Sequence, residues 1–168
     1  MIESTEKGLT ELSAIDASQL RVGIVVSRFN ASITNNLRTG AQEELERHQI
    51  SRANTHVYNV SGAYEIPLVL QQMAISERFH LLVAIGCVIR GETPHFDYVC
   101  NECVSGVTRV MLDHSIPVGL GVLTCETMQQ AIARSSIDAK DAHSNKGKEA
   151  AQAALETWST LNRIRTRS

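Results

Sequence analysis

Four short, mostly branched apolar runs, each followed by a segment with helical spacing, constrain this chain more than any other feature. They are RVGIVVS from Arg21, THVYNV from Thr55, HLLVAIGCVI from His80 and PVGLGVLT from Pro117. Runs of this kind, bounded by turn residues, read as buried strands. Between the first two, Ile33, Leu37, Ala41 and Leu45 recur every four residues, which puts one apolar stripe on a helix. LVLQQMAIS follows the second run. A long helix follows the third, with Phe96, Val99, Cys100, Cys103, Val104, Val107 and Met111 expected on its apolar face. A short helix from Met128 to Arg134 follows the fourth. After a polar linker from Ser135 to Asn145, a last helix carries Ala151, Ala154, Leu155, Trp158 and Leu161. Strands alternating with helices pair in parallel through right-handed crossovers, because parallel neighbours cannot be joined by a tight hairpin.

The expected fold class is therefore α/β: a single-domain, three-layer α/β/α sandwich on a four-stranded parallel sheet, flavodoxin-like in outline. Residues 1–20 are polar and weakly patterned, and are read as an arm with a short extended piece near Leu20. It is either flexible or paired with a neighbouring subunit. Residues 21–168 form the domain. A formal charge of -2 with no long run of one sign gives no support for a nucleic-acid or membrane-surface role. Arg163, Arg165 and Arg167 read as the solvated end of a helix. No apolar run approaches a membrane span, and the polar start MIESTEKGLTELS has no secretory apolar core. Cys87, Cys100, Cys103 and Cys125 do not suggest a disulfide framework, so a reducing, cytoplasmic setting is expected. The C-x-x-C pair Cys100/Cys103 lacks two further zinc ligands at matching spacing and reads as core packing.

In an open parallel sheet, ligands bind at the carboxyl ends of the strands. That rule points to four stretches: Ser27 to Asn30, Ser61 to Glu65, Ile89 to His95, and Thr124 to Thr127. The third is the richest. Gly91 and Pro94 bracket a turn, Thr93 adds a hydroxyl, and His95 stands at a helix start, where free N–H groups favour an anion. Such a loop suits a phosphorylated substrate and proton transfer on it. His95 could equally cap the helix or pair with Asp97. Phe29 could stack on a planar ring or be an ordinary core phenylalanine. Glu65 could bind a ligand or be a simple first-turn acid. No G-x-G-x-x-G follows the first strand and no P-loop is present, so a dinucleotide site is not expected. Gly119-Leu120-Gly121 lies within a strand, where bare glycines allow close approach of another backbone.

VGIVVSRFN, VSGAYEIPL, GCVIRGETPHFDYVCNE, PVGLGVLTCET and QAIARS, in this order and spacing, resemble the lumazine synthases of riboflavin biosynthesis. The resemblance covers Arg21 to about Leu161. It implies condensation of 5-amino-6-(D-ribitylamino)uracil with L-3,4-dihydroxybutan-2-one 4-phosphate to 6,7-dimethyl-8-ribityllumazine, with no metal and no organic cofactor. It also implies roles. His95 matches the proton-transfer histidine and Phe29 the aromatic that stacks on the pyrimidine. Ala63, Tyr64, Glu65, Cys87, Val88 and Ile89 match the pyrimidine and ribityl contacts. Glu92 and Thr93 match the phosphate-side loop and Arg134 the arginine that grips the phosphate. Lys146 and Glu149 match further basic and acidic site residues. Leu120 stands where many members carry phenylalanine.

In that family the site forms between neighbouring subunits, so a homo-oligomer is implied, with a possible functional association with riboflavin synthase. Ser61 replaces a common proline, which loosens the turn before Gly62. The linker SSIDAKDAHSN is longer than in members that build sixty-subunit shells, which favours a pentamer. Two other readings remain at this level. A shell or binding protein without turnover would have no need of Phe29, His95, Arg134 and Lys146 together. An FMN-binding module calls for a hydroxyl-rich loop where Ser27-Arg28-Phe29 stands.

Overall fold

A computed structural model describes residues 17–138, 140 and 145–166. Its strands are β1 (Val22–Ser27), β2 (Thr55–Val60), β3 (Leu81–Ile89) and β4 (Val118–Cys125). Its α-helices are α1 (Ala31–Arg47), α2 (Ile66–Ile75), α3 (His95–Asp113), α4 (Met128–Arg134) and α5 (Lys146–Thr166). All pairings are parallel and the strand order is β2-β1-β3-β4, as expected for a flavodoxin-like sheet. In register, Val22 stands between Thr55 and Leu81, and Ile89 opposite Cys125. The chain leaves β1 toward β2 and returns on the other side as β3, so the order reverses between β1 and β3. The ligand crevice of an open parallel sheet lies at such a reversal.

Each face of the sheet has its own core. On one, α1 and α5 cover the sheet, with Leu37, Leu45 and Leu155 packed on Ile24, Val83 and Ile85. On the other, α2 and α3 bring Ile66, Leu70, Cys103 and Val107 against Val25, Leu82 and Ala84. Glycines set how closely α5 seats. A Cβ at Gly119 of β4 would lie 2.1 Å from the Ala150 carbonyl oxygen, the close backbone approach expected for that strand. Among the described residues one charged group, Glu44, is buried within the domain. Burial alone would raise the pKa of the Glu44 carboxyl, but hydrogen bonds from His48 and Arg47 outweigh it and hold the value at about 2.

Two sequence expectations need correction. Val104 is exposed and Met111 only half-buried, whereas Val110 is buried on the core face of α3. The stripe drifts around a long helix, since four-residue steps overshoot a 3.6-residue turn. Near Leu20 the chain is not extended. Ala17–Gln19 form one 3₁₀ turn, the Leu20 N–H donates to the Ala17 carbonyl, and both Ala17 and Leu20 join the core. The rest of the arm, positions 139 and 141–144 of the linker, and Arg167 lie outside the described residues.

Candidate active site

Three of the four strand-end stretches converge. After β1 the N–H of Arg28 donates to the Val60 carbonyl at 2.9 Å, and that of Phe29 to Ser61 at 3.2 Å, which lays the β1 exit against the β2 exit. Asn30 then takes a left-handed conformation (φ 55°), which asparagine tolerates better than most residues. Its side-chain amide donates to the Cys87 carbonyl at 2.9 Å, tying the start of α1 to β3. Phe29 is thereby held out of the core, 68% exposed, with its ring edge beside Gly62. Tyr64 is 61% exposed in the 3₁₀ turn that follows. An ordinary core role for Phe29 is excluded. Ala63 and Cys87 are buried, and Val88 and Ile89 half-buried, at the ends of the neighbouring elements. Glu65 acts first on its own turn: one carboxylate oxygen accepts the Gly62 N–H at 2.8 Å.

The loop after β3 is a strand exit, a turn and a helix start, as read from the sequence. Glu92, Thr93, Pro94 and His95 are all exposed. His95 is the first residue of α3, and its backbone N–H lies 3.4 Å from the Thr93 hydroxyl. It does not pair with Asp97. Asp97 is held by Arg90 through two hydrogen bonds of 3.0 and 3.2 Å, and the Arg90 guanidinium keeps its carboxyl below the usual range. Among the described residues the His95 imidazole has no hydrogen-bonding partner.

The cysteines offer no nucleophile. Burial first, then the neighbouring Cys125, pushes the Cys87 thiol up to about 12, and burial pushes Cys103 up to about 11. All four are free and buried, so the C-x-x-C pair is core packing. Among the described residues no three His, Cys, Asp or Glu side chains cluster to hold a metal ion. Nor is any described helix long and apolar enough to cross a membrane.

The remaining candidates stand elsewhere. Leu120, Lys146 and Glu149 line an open groove of about 370 Å³ between β4 and the start of α5, and none of the strand-end residues lines it. Lys146 donates to both oxygens of Glu149 at 2.7 and 2.8 Å. Leu120, 46% exposed, is an apolar wall of that groove. Arg134 ends α4, exposed, with one guanidinium nitrogen on its own helix's Gln130 carbonyl at 3.2 Å. The candidate residues thus fall into separate groups: aromatic rings and a histidine at the strand ends, Leu120, Lys146 and Glu149 along the β4 groove, and Arg134 at the end of α4.

Sequence reasoning gave no role to three residues that hold these parts in place. Arg90 and Glu126 join at 2.7 Å across the ends of β3 and β4. Asn145 caps α5, its Oδ1 accepting the N–H groups of Gly147 and Lys148 at 3.0 Å. Its Nδ2 lies within reach of the Asn36, Ser135 and Ser136 carbonyls, so the start of α5 is fixed to α1 and to the end of α4. An asparagine just before a helical run is the one local signal among them.

Comparison with known proteins points to one family. Residues 19–162 match the family model described as 6,7-dimethyl-8-ribityllumazine synthase. A protein of that name from Desulfovibrio desulfuricans is 45% identical over 150 residues, covering 89% of this chain and 94% of the relative. Another, from Protochlamydia amoebophila, is 46% identical over 142 residues, covering 84% of this chain and 80% of the relative. A match across nearly all of the folded domain, including every strand end described above, places the chain in the 6,7-dimethyl-8-ribityllumazine synthase family.

Proposed function

We propose that this chain condenses 5-amino-6-(D-ribitylamino)uracil with L-3,4-dihydroxybutan-2-one 4-phosphate at a site completed by a second copy of itself. The products are 6,7-dimethyl-8-ribityllumazine, phosphate and water, in the penultimate step of riboflavin biosynthesis. One observation supports the shared site above others: the groups of candidate residues lie apart within a single chain. Phe29, Tyr64 and His95 stand exposed at the β1–β3 crevice, while Leu120, Lys146 and Glu149 line a groove along β4. A neighbour presenting its β4 groove and Arg134 to the crevice would close the site.

In this reading Phe29 stacks on the pyrimidine face and the backbone of Ala63 to Glu65 meets its polar edge, with Cys87 to Ile89 along the ribityl chain. Glu92 and Thr93 flank the phosphate, and the neighbour's Arg134 grips it, its planar fork suited to two oxygens at once. The substrate amine attacks the ketone and an imine forms with loss of water. Removal of a proton next to the imine expels phosphate, and ring closure with a second dehydration completes the lumazine. His95, unpartnered beside the loop, carries the protons, and Lys146 with Glu149 closes the far end. Positioning supplies most of the acceleration, since both substrates carry their own reactive groups.

Incubating the purified chain with both substrates, without added metal, is expected to give the lumazine absorbance and fluorescence above the spontaneous background; background alone would reject the proposal. His95→Ala is expected to lower turnover by roughly tenfold, below the usual 10² to 10⁴ of such groups because the amine is already a competent nucleophile. Steady-state kinetics with each substrate varied in turn measures it.

The assembly we favour is a cytoplasmic homopentamer, with any association with riboflavin synthase being functional rather than structural. The long connection from Ser135 to Asn145 would obstruct contacts between pentamers. A sedimenting particle of about a megadalton, the size of a sixty-subunit shell, would overturn this.

A further inference from the structure

Arg90 leaves β3 one residue before the turn that carries Thr93 and His95, and its guanidinium has two carboxylates and one ring as partners. Nε donates to Glu126 at 2.7 Å, and the two terminal nitrogens donate to the two oxygens of Asp97 at 3.0 and 3.2 Å. Its flat face lies over the Phe96 ring, 4.2 Å from the centroid. Its backbone N–H donates to the Cys125 carbonyl at 2.9 Å. Two carboxylates take three of its five N–H groups and offset its charge, so this arginine is oriented toward protein partners, although it is the cation nearest the loop in sequence.

The turn itself lacks an apolar anchor. Residues 91–95 are all exposed, and a Cβ at Gly91 would meet nothing within 4 Å. Its path is therefore set at its two ends, and Arg90 reaches both: it belongs to the β3 end, and it holds Phe96 and Asp97 at the α3 end. The same network continues to α4. The Glu126 N–H donates to the Gln130 side-chain carbonyl at 2.8 Å, and the Gln130 backbone carbonyl accepts from Arg134 at 3.2 Å.

We infer that Arg90 is a positioning residue: through Asp97 and Phe96 it fixes the turn bearing His95, and through Glu126 it fixes the helix bearing Arg134. The inference deepens the proposed function and rests on it. Because one subunit's turn and its Arg134 serve different sites in that reading, a single clamp sets the geometry of two neighbouring sites. Exposed ion pairs add little to stability singly, but a bidentate fork in a network defines orientation. Arg90 should therefore matter for rate far more than for folding.

The test compares wild type with Arg90→Met and Arg90→Lys, by kinetics and by amide hydrogen exchange. Arg90→Met is expected to lower kcat by about tenfold or more, since misplacement of reacting groups by about an ångström is that costly. It should raise KM for the butanone phosphate, leave KM for the pyrimidine within about twofold, and speed exchange at residues 91–96 with the rest of the domain unchanged. Lysine keeps the charge without the fork and should not restore kcat. If Arg90→Met does not fold, Asp97→Asn removes the bidentate half from the surface and should give the same pattern more weakly. Unchanged kcat and exchange would overturn the inference. So would a fall in kcat with no change in exchange at the turn, which would mean direct action on substrate, or a uniform rise in exchange across the domain, which would mean a merely structural role. If wild type forms no lumazine, the proposed function fails, and local exchange alone still decides whether Arg90 holds the turn.

Discussion

Arg134→Ala is expected to cut kcat/KM for the butanone phosphate by about 100-fold, mainly through KM, while the pyrimidine substrate binds as before. Charge-assisted hydrogen bonds contribute roughly 1.5–3 kcal/mol each, which corresponds to about 10- to 150-fold per lost contact. Arg134 can make them because little else occupies it. It is exposed at the end of α4, and among the described residues it hydrogen-bonds only to its own helix at Gln130. Arg90, also near the site, is already held by Asp97 and Glu126, which offset its charge and make it a poor substitute. Arg134→Lys should recover part of the loss, as a point charge without the fork. Equal kinetic constants for wild type and Arg134→Ala, measured with the phosphate substrate varied at saturating pyrimidine, would remove Arg134 from the site.

The second large effect is on folding. Gly147→Ala is expected to destabilise the protein by about 3 kcal/mol or more, or to prevent folding. The added methyl would sit 1.9 Å from the Leu37 carbonyl oxygen, and 2.5 Å from its carbon. That neighbour is helix backbone and cannot rotate away. The first turn of α5 would have to lift off α1, where Asn145 now binds it to the Asn36 carbonyl. Lys146 and Glu149 share that turn, so any folded Gly147→Ala protein should also bind substrate poorly. Chemical denaturation of the two proteins side by side gives the difference directly. By contrast, Gly91→Ala meets open space and a normal backbone region, and should leave stability within a few tenths of a kcal/mol.

The fold was legible because its signals are local. The run RVGIVVS and the four-residue recurrence from Ile33 to Leu45 each report their own burial, and alternating strands with helices leaves few topologies. The strand-end rule then pointed to Phe29, Gly62 and His95 as candidates, since they lie in the short stretches that follow the strands. What it could not weigh was pairing across the sheet. Whether His95 would be captured by Asp97 depended on Arg90 taking that carboxylate first. Arg90 in turn is oriented by Glu126, 36 positions away, just past the end of β4, whose neighbour is fixed only by the folded sheet. Asn145 read as the end of a polar linker, because the three carbonyls around its amide come from α1 and the end of α4. The error at Val104 and Met111 was local, a small angular drift accumulated along a 19-residue helix. Lys146 and Leu120 come together only when α5 seats on Gly119 of β4, a packing event invisible to periodicity.

The shared site can be tested by mixing two crippled chains. His95→Ala leaves the groove and Arg134 intact, and Arg134→Ala leaves the crevice intact. Unfolded together in equal amounts and refolded, they should form rings in which roughly a quarter of the interfaces join an intact crevice to an intact Arg134, from one half times one half. Activity of the mixture is then expected to rise clearly above the mean of the two separately refolded variants, toward about a quarter of wild type. Activity equal to that mean, in mixed particles of the same mass as wild type, would show that each chain carries its whole site alone and would contradict assembly of the site from two copies.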